Sequence, residues 1–580
     1  MPTDSLPPSD IPAALQGALR LHLGGRVDEA EALYRQILGQ DPAHVRALGM
    51  LAMLVADRSH DDAEAEALLQ RHLALSPNDA ASLHRLGRLR ARQGDDAAAA
   101  SLYRRAAEGL PNLAPIFNDL GVSLHRLGRD AEALAALDRA LALDPAYGMA
   151  HINSGMVLND LQRFDQAAEA QIAALALAPD GAWGMRAAAL HNLVKAVRQG
   201  GGQAAAQAAC DRVLAAQPTD SATVDELAAL LDGLARPGEA QALRNAMARR
   251  AGVRRDGPAA GGGEATLLVL GGVGAGHTPI RYLVDKQVFA IQSVALLSPD
   301  QPDAPLGHVD FDSFASVDVV FNTLGEADKH GGQFDNVAAV CARLGKPVLN
   351  PPAAILRTGR DQAPVLFGDI PDMVTPPVRW TTPGELGATA IDHPQLVRPA
   401  GDHGGDNLVL LRNDADRDAY LQTPPPAGAR LLLTRFHDFR SPDGGWRKYR
   451  LIFVDRKIYP YHLAIGEDWL VHYWRADMSI APWKKAEEEG FMADWRAVFG
   501  ERAARAAETA AQRLDLDYAG MDCALLADGQ LLLFEANACM HVHLDEPAAA
   551  FPYKHRHVPA IRAAFSAMVR ERARGGLAPP

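Results

Sequence analysis

Gly520 to His543 reads GMDCALLADGQLLLFEANACMHVH, and the placing of its acids decides how the C-terminal half is understood. Two apolar runs, Cys523 to Leu526 and Leu531 to Phe534, flank Asp528-Gly529, one of the strongest short signals for a β-hairpin. If Ala527 faces Gln530 across the turn, Asp522 falls directly opposite Glu535, and Asn537 shares their face because strand side chains alternate. Like charges so opposed destabilise a sheet unless something positive lies between them. Two carboxylates and an amide oxygen make the all-oxygen donor set that Mg2+ accepts beside waters and substrate phosphates. The competing reading is a solvated acidic hairpin face, and the apolar residues on both arms argue against it.

The chain has 580 residues, room for about three domains at roughly 150 residues each. A net charge of −13 lacks the basic excess that neutralises nucleic-acid phosphates, so no nucleic-acid partner is expected. No apolar run is long enough to span a bilayer, and MPTDSLPPSDIPAAL at the start has no basic or apolar signal-peptide region, so no membrane partner is expected either. Cys210, Cys341, Cys523 and Cys539 are scattered without disulfide or zinc-ligand spacing, which gives a reducing, cytoplasmic home as the expectation.

Residues 1–250 carry a repeat. Pro42, Pro77, Pro111, Pro145 and Pro179 stand 35, 34, 34 and 34 apart. Small residues recur in register: Gly87, Gly121 and Gly155; Ala99, Ala133 and Ala167; Ala106, Ala140 and Ala174. Such positions let two antiparallel helices approach closely, and a proline stops the second helix of each unit. Units from about Ile11 and His44 fit more loosely, a sixth ends at Pro218 with Gly200 to Gly202 interrupting it, and helices over Ala222 to Arg250 cap the stack. The pattern resembles the tetratricopeptide repeat, an all-α solenoid. The resemblance implies a concave groove holding a peptide or protein segment; an array that only dimerises or spaces the molecule is the alternative.

Residues 251–265, AGVRRDGPAAGGGEA, read as a linker. TLLVLGGVGAGHTP then gives a buried strand and a glycine loop, but Gly272, Gly274 and Gly276 lack the G-x-G-x-x-G spacing of a dinucleotide site. With VDVVFNTLGEAD and KPVLNPP as further strands, residues 266–352 read as a Rossmann-like subdomain. From Arg357 the pattern turns antiparallel: HPQLVRPAGDHGGDNLVLL, ARLLLTRFHDF, KYRLIFVDRKIYPYHLAI and the Gly520 hairpin, which closes the sheet.

These segments resemble the ATP-grasp superfamily over about Thr266 to Arg570. The predicted fold is thus multidomain: the repeat solenoid, then an α/β (α+β) ATP-grasp fold with residues 266–352 as its pre-ATP-grasp subdomain, 353–572 as its catalytic domain and 573–580 as a tail. The resemblance implies that Asp522, Glu535 and Asn537 hold Mg2+, two ions, between ATP phosphates. It implies phosphate contacts from Arg398, where the family usually has lysine, and from Arg360. Gly401, Gly404 and Gly405, with His403 among them, would fold over the phosphates; Thr434, Arg435 and Phe436 would line adenine through backbone groups and packing. Arg450 matches an arginine that holds the phosphoryl group or acyl substrate, so Arg450 and Arg398 are the expected catalytic residues. Lys448 shares the Arg450 face or is a solvated edge charge, with Tyr449 and His462 on the other face. After the E-x-N, many relatives carry Pro-Gly where this chain has ACMHVHLDE; Cys539, His541 and His543 are read as packing or substrate-wall residues rather than a transition-metal site.

What the resemblance implies is a ligase that phosphorylates a carboxylate of a small or peptide substrate with ATP and passes the acyl group to an amine or thiol. Repeats on the same chain would hold a peptide or protein substrate or partner. A catalytically degenerate scaffold remains open. A glycosyltransferase would need a second Rossmann-like half, which the antiparallel strands do not supply.

Overall fold

The computed structural model describes residues 10–58, 62–179, 181–259, 262–272, 277–278, 280–297, 310–330, 333–400, 407–422, 430–473, 476, 478 and 481–575. The chain divides into two compact units, 1–244 and 245–580.

Among the described residues the first unit is a solenoid of helices paired head to tail, from Ile11–Leu23 and Val27–Gln40 through Ser221–Gly233 and Pro237–Ala251, the last of which crosses the unit boundary. The small residues do what their spacing predicts. A Cβ on Gly87 would lie 2.5 Å from the Tyr103 ring, on Gly121 2.7 Å from Leu137 and on Gly155 2.0 Å from the Gln171 amide. Ala99, Ala133, Ala167, Ala106, Ala140 and Ala174 are all buried. Gly201 and Gly202 are a local case of the same rule, since a Cβ on either would strike Phe164 or Ala168. A further 34-residue rhythm escaped the sequence reading: Arg71, Arg105 and Arg139 each donate to the carbonyl of the proline one repeat back, Pro42, Pro77 and Pro111. First helices of neighbouring repeats are also cross-linked, His84 to Asp119 at 2.9 Å and Asn153 to Asn118 at 2.8 Å.

The second unit opens with strands β1 (Arg254–Asp256), β2 (Thr266–Gly272), β3 (Ala290–Leu296), β4 (Val319–Asn322) and β5 (Val348–Leu349) in the order β1-β3-β2-β4-β5. β3, β2, β4 and β5 are parallel, with helix Phe334–Leu344 between β4 and β5. The stretch 251–265 is therefore not a plain linker: β1 pairs antiparallel with β3. Two of its glycines serve close packing: Gly257 has φ +81° and a Cβ there would lie 2.4 Å from the Phe289 carbonyl, and a Cβ on Gly263 2.7 Å from that of Val288. At these two positions glycine content read as a linker is backbone contact.

Beyond lie β6 (Met373–Val374), β7 (Val378–Thr381), β8 (Gln395–Pro399), β9 (Val409–Leu411), β10 (Leu431–Arg435), β11 (Trp446–Val454), β12 (Lys457–Gly466), β13 (Tyr518–Leu525) and β14 (Leu531–Asn537). They do not close one sheet, as the run of antiparallel segments suggested. A four-stranded sheet, β7-β10-β8-β9, and a five-stranded one, β12-β11-β13-β14-β6, form instead, the second ending in the parallel pair β14–β6. The parallel sheet is tied to the five-stranded one by Asn350, fully buried at φ +53°. Its amide donates to the Tyr518 carbonyl at 2.8 Å and accepts from the Tyr518 N–H at 3.0 Å, and its own N–H bonds Asp517 at 2.9 Å. A buried amide that satisfies both backbone groups of a strand residue acts as one more ladder rung.

Candidate active-site cleft

The hairpin turn differs from the expectation, yet the expected pair forms. Leu526 donates to Gln530 at 2.9 Å and Gly529 has φ +80°, so the loop has three residues, Ala527, Asp528 and Gly529. That is the type I turn with a left-handed third residue, and it shifts the register by one: Leu525 faces Leu531 and Cys523 faces Leu533. A bulge at Phe534 then shifts it back, so that Asp522 pairs with Glu535 and Gly520 with Asn537. β11 and β12 carry a matching irregularity beside Arg450, which pairs with His462 on one side and Asp522 on the other. His462, Arg450, Asp522 and Glu535 thus form one row across β12, β11, β13 and β14. His462 shares the Arg450 row, not that of Tyr449, which packs between Phe491 and Phe499.

Arg450, Asp522 and Glu535 of this row floor a cavity of about 240 Å³ between the two sheets. From β8 and β10, Leu396, Arg398, Leu432 and Thr434 line it, two pairs of alternate residues on facing strands. Arg360 enters from the turn Arg360–Gln362, which follows β5 and the short helix Pro352–Leu356. Arg435, Phe436, Arg450, Asp522, Glu535 and Asn537 complete the candidate set, so every predicted site residue among the described ones faces one cleft. Gly401, Gly404 and Gly405, with His403, lie outside the described residues. Among the lining residues not foreseen as site residues are Lys448, His437, and the segment Trp469 to His472. Lys448 was legible as a strand neighbour of Arg450; no sequence signal marked the other two.

The electrostatics centre on Asp522, which is 2% exposed. Arg450 grips it with two bonds, Nε to Oδ1 at 2.6 Å and Nη2 to Oδ2 at 2.8 Å, and Lys448 Nζ adds a third to Oδ2 at 2.8 Å. Burial by itself would raise this carboxyl, but Arg450 and Lys448 outweigh it and hold it far below the ordinary carboxylate range. Positive charge beside Asp522 is thus supplied by the protein, from β11 on the side away from Glu535. Glu535 is engaged more loosely: Arg360 Nη2 is 3.7 Å from Oε2 and Asn537 Nδ2 is 3.3 Å from Oε1. Asn537 Oδ1 accepts from the Cys539 N–H at 2.9 Å and keeps a second lone pair. Carboxylate and amide oxygens of Glu535 and Asn537 therefore suit a hard divalent cation, which needs only one or two carboxylates beside waters and phosphates. His462 is kept neutral by burial first and then by Arg450 and Lys554.

The other end of the cleft is aromatic. Phe436 lies 5.9 Å from Trp469 and 6.3 Å from Trp446, and Phe439 4.9 Å from the bulged Phe534. The backbone N–H groups of Arg435 and Phe436 already donate to Pro377 and Pro394 at 3.2 and 3.0 Å, so of their backbone groups the carbonyls, with side-chain packing, are what these residues offer the cleft. His437 lines the same end with its Nε2 buried and without a hydrogen bond, and burial, then Arg435, lowers its pKa. Among the described residues no group of three or more His, Cys, Asp or Glu is placed to hold a metal ion, so Cys539, His541 and His543 do not form one.

Family models of the tetratricopeptide repeat match residues 24–80, 82–113 and 114–147. The N-terminal region is built of tetratricopeptide repeats. No curated protein matches the chain. Solved structures similar to it include MamA, at 20% identity over 29% of this chain and 91% of MamA with a TM-score of 0.27. YrrB, a TPR protein with an unusual peptide-binding site, is 21% identical over 31% of this chain and 89% of its own, with a TM-score of 0.28. The tetratricopeptide region is suited to protein–protein or peptide binding, as stacked repeats of this kind present an extended surface. Among the described residues no helix is long and apolar enough to cross a membrane.

Proposed function

We propose that the second unit is an ATP-dependent carboxylate–amine or carboxylate–thiol ligase of the ATP-grasp type, and that the repeats hold its peptide or protein substrate or partner. The observation that carries this reading is the convergence on one cleft of Arg360, Arg398, Arg450, Asp522, Glu535 and Asn537, drawn from five separated segments. A cationic floor beside an aromatic end suits a nucleoside triphosphate, phosphates over the charges and base against Phe436 and Trp469.

In this reading Arg360, Arg398, Lys448 and Arg450 neutralise the phosphates and fix them in line with the acyl carboxylate. The terminal phosphoryl passes from ATP to a carboxylate oxygen with release of ADP, and an amine or thiol then displaces phosphate from the acyl phosphate. Magnesium held by Glu535 and Asn537 would supply further neutralisation of phosphate charge. No protein nucleophile is needed. Repeats on the same chain raise the local concentration of a bound peptide without adding a catalytic group.

The test is calorimetry of ATP binding with and without Mg2+ in the wild type and Glu535→Gln, followed by ADP release with panels of carboxylates, amines and thiols. Mg2+-dependent binding weakened by the substitution, with ADP release that requires both acyl substrate and nucleophile, supports the ligase. Binding without turnover on any pair leaves a nucleotide-binding scaffold, and no binding removes the assignment.

A further inference from the structure

The family resemblance makes Asp522 a metal ligand, and the side chain is poorly placed for that role. Three charge-assisted bonds already occupy its two oxygens, Oδ1 from Arg450 and Oδ2 from both Arg450 and Lys448. The carboxylate is almost wholly buried. A Mg2+ ion demands near-octahedral ligands at about 2.1 Å, and on Asp522 it would stand beside a guanidinium and an ammonium bound to the same group, where like charges repel. Glu535 is less crowded: among the described residues its ion pair is with Arg360, at 3.7 Å.

The two cations are not used up by Asp522. Arg450 has five N–H donors and gives two; Lys448 has three and gives one. Both side chains line the cleft, 19% and 22% exposed, and the trio carries one net positive charge. We infer that Asp522 is a positioning residue, holding Arg450 and Lys448 side by side as the receptor for one phosphate-type anion and leaving the divalent cation to Glu535 and Asn537. The inference rests on the ATP-dependent reading above. It assigns Lys448 a direct anion contact and makes Asp522 a competitor for the same donors that bind phosphate.

The experiment uses the full chain and inorganic tripolyphosphate, titrated calorimetrically in EDTA, with bound Mn2+ counted by electron paramagnetic resonance in a parallel titration. Asp522→Asn removes the competing negative charge, so metal-free binding should tighten on the order of tenfold, the scale of one charge at 4–6 Å, while Mn2+ occupancy stays as in the wild type. Glu535→Gln should lose the Mn2+. Lys448→Met leaves the Arg450–Asp522 pair intact and should weaken metal-free binding by about tenfold with Mn2+ unchanged, a check that holds even if Asp522→Asn fails to fold. Loss of Mn2+ in Asp522→Asn as complete as in Glu535→Gln overturns the inference and leaves the ATP reading standing, as does unchanged metal-free binding in Lys448→Met. A wild type that binds no tripolyphosphate with or without Mn2+ overturns both.

Discussion

Replacing Arg450 with Met tests the row on which the cleft is built. The variant keeps an unbranched stem but removes the guanidinium and with it both bonds to Asp522, at 2.6 and 2.8 Å, from a carboxylate that is 2% exposed. Breaking one side of a buried ion pair costs roughly 3–5 kcal/mol. Lys448 still neutralises Asp522 at 2.8 Å, which puts the expectation at the lower end, about 3 kcal/mol. At a urea slope of about 3 kcal/mol/M the midpoint should fall by about 1 M. The sequence supplies the probe: of seven tryptophans only Trp183 precedes residue 245, so fluorescence follows the second unit while far-ultraviolet circular dichroism is weighted to the repeats. Asp522 has a depressed folded pKa, so its contribution is present above the unfolded carboxyl value, about 4, and is lost as pH falls. The gap between wild type and variant should be constant from pH 7 to about 5 and narrow below about 4. A fluorescence midpoint shift under about 0.2 M at pH 7, or an Arg450→Met/Asp522→Asn double variant no better than the sum of the singles, would refute this account of the row.

Three further outcomes follow. Asn350→Ala leaves the Tyr518 N–H and carbonyl without their buried partner and should destabilise the second unit by roughly 2–4 kcal/mol, seen as a fluorescence shift with the dichroism transition of the repeats unmoved. Gly121→Val places two γ carbons where a Cβ already comes within 2.7 Å of Leu137; overpacking of about 1–3 kcal/mol should lower the dichroism midpoint and spare the fluorescence one. His437 should titrate below the ordinary histidine value of 6.5 because burial and Arg435 disfavour its charged form. Folding stability contributed by the neutral ring is then present above pH 6.5 and lost as pH falls through that value toward the folded pKa. Side-chain nitrogen spectra assigned with His437→Gln read this directly, and a pKa above 6.5 would contradict the placement.

The repeats were legible because their physics is local and periodic: a glycine under Tyr103 or Leu137 and a proline after each second helix are each set by one 34-residue unit. The arginines that cap the proline carbonyls have the same period, but an exposed arginine carries no apolar or conformational signature to draw the eye. The stretch 251–265 failed for the opposite reason. Glycine has one composition and two uses, and only the three-dimensional approach of Phe289 to Gly257 separates a flexible segment from a close contact. Two sheets rather than one could not be read from strand order, since antiparallel runs specify neighbours along the chain and not where the set divides.

In the candidate cleft the residues were found more securely than their roles. Asp522 opposite Glu535 was reached by assuming a two-residue turn and an unbroken ladder, and both assumptions are wrong by one residue in opposite senses. The bulge at Phe534 is what turns Glu535 back onto the Asp522 face, and the same bulge turns the Phe534 ring onto Phe439 at the aromatic end of the cleft. A single inserted residue thus serves both ends of the cavity. A hairpin read alone invites a bound cation between its acids, whereas Asp522 is neutralised from β11 by Arg450, 72 residues earlier in the chain. Roles that depend on a third strand are invisible in a two-strand register. That is why Asp522 reads as a metal ligand from its own hairpin and as the counter-ion of Arg450 and Lys448 once β11 lies beside it.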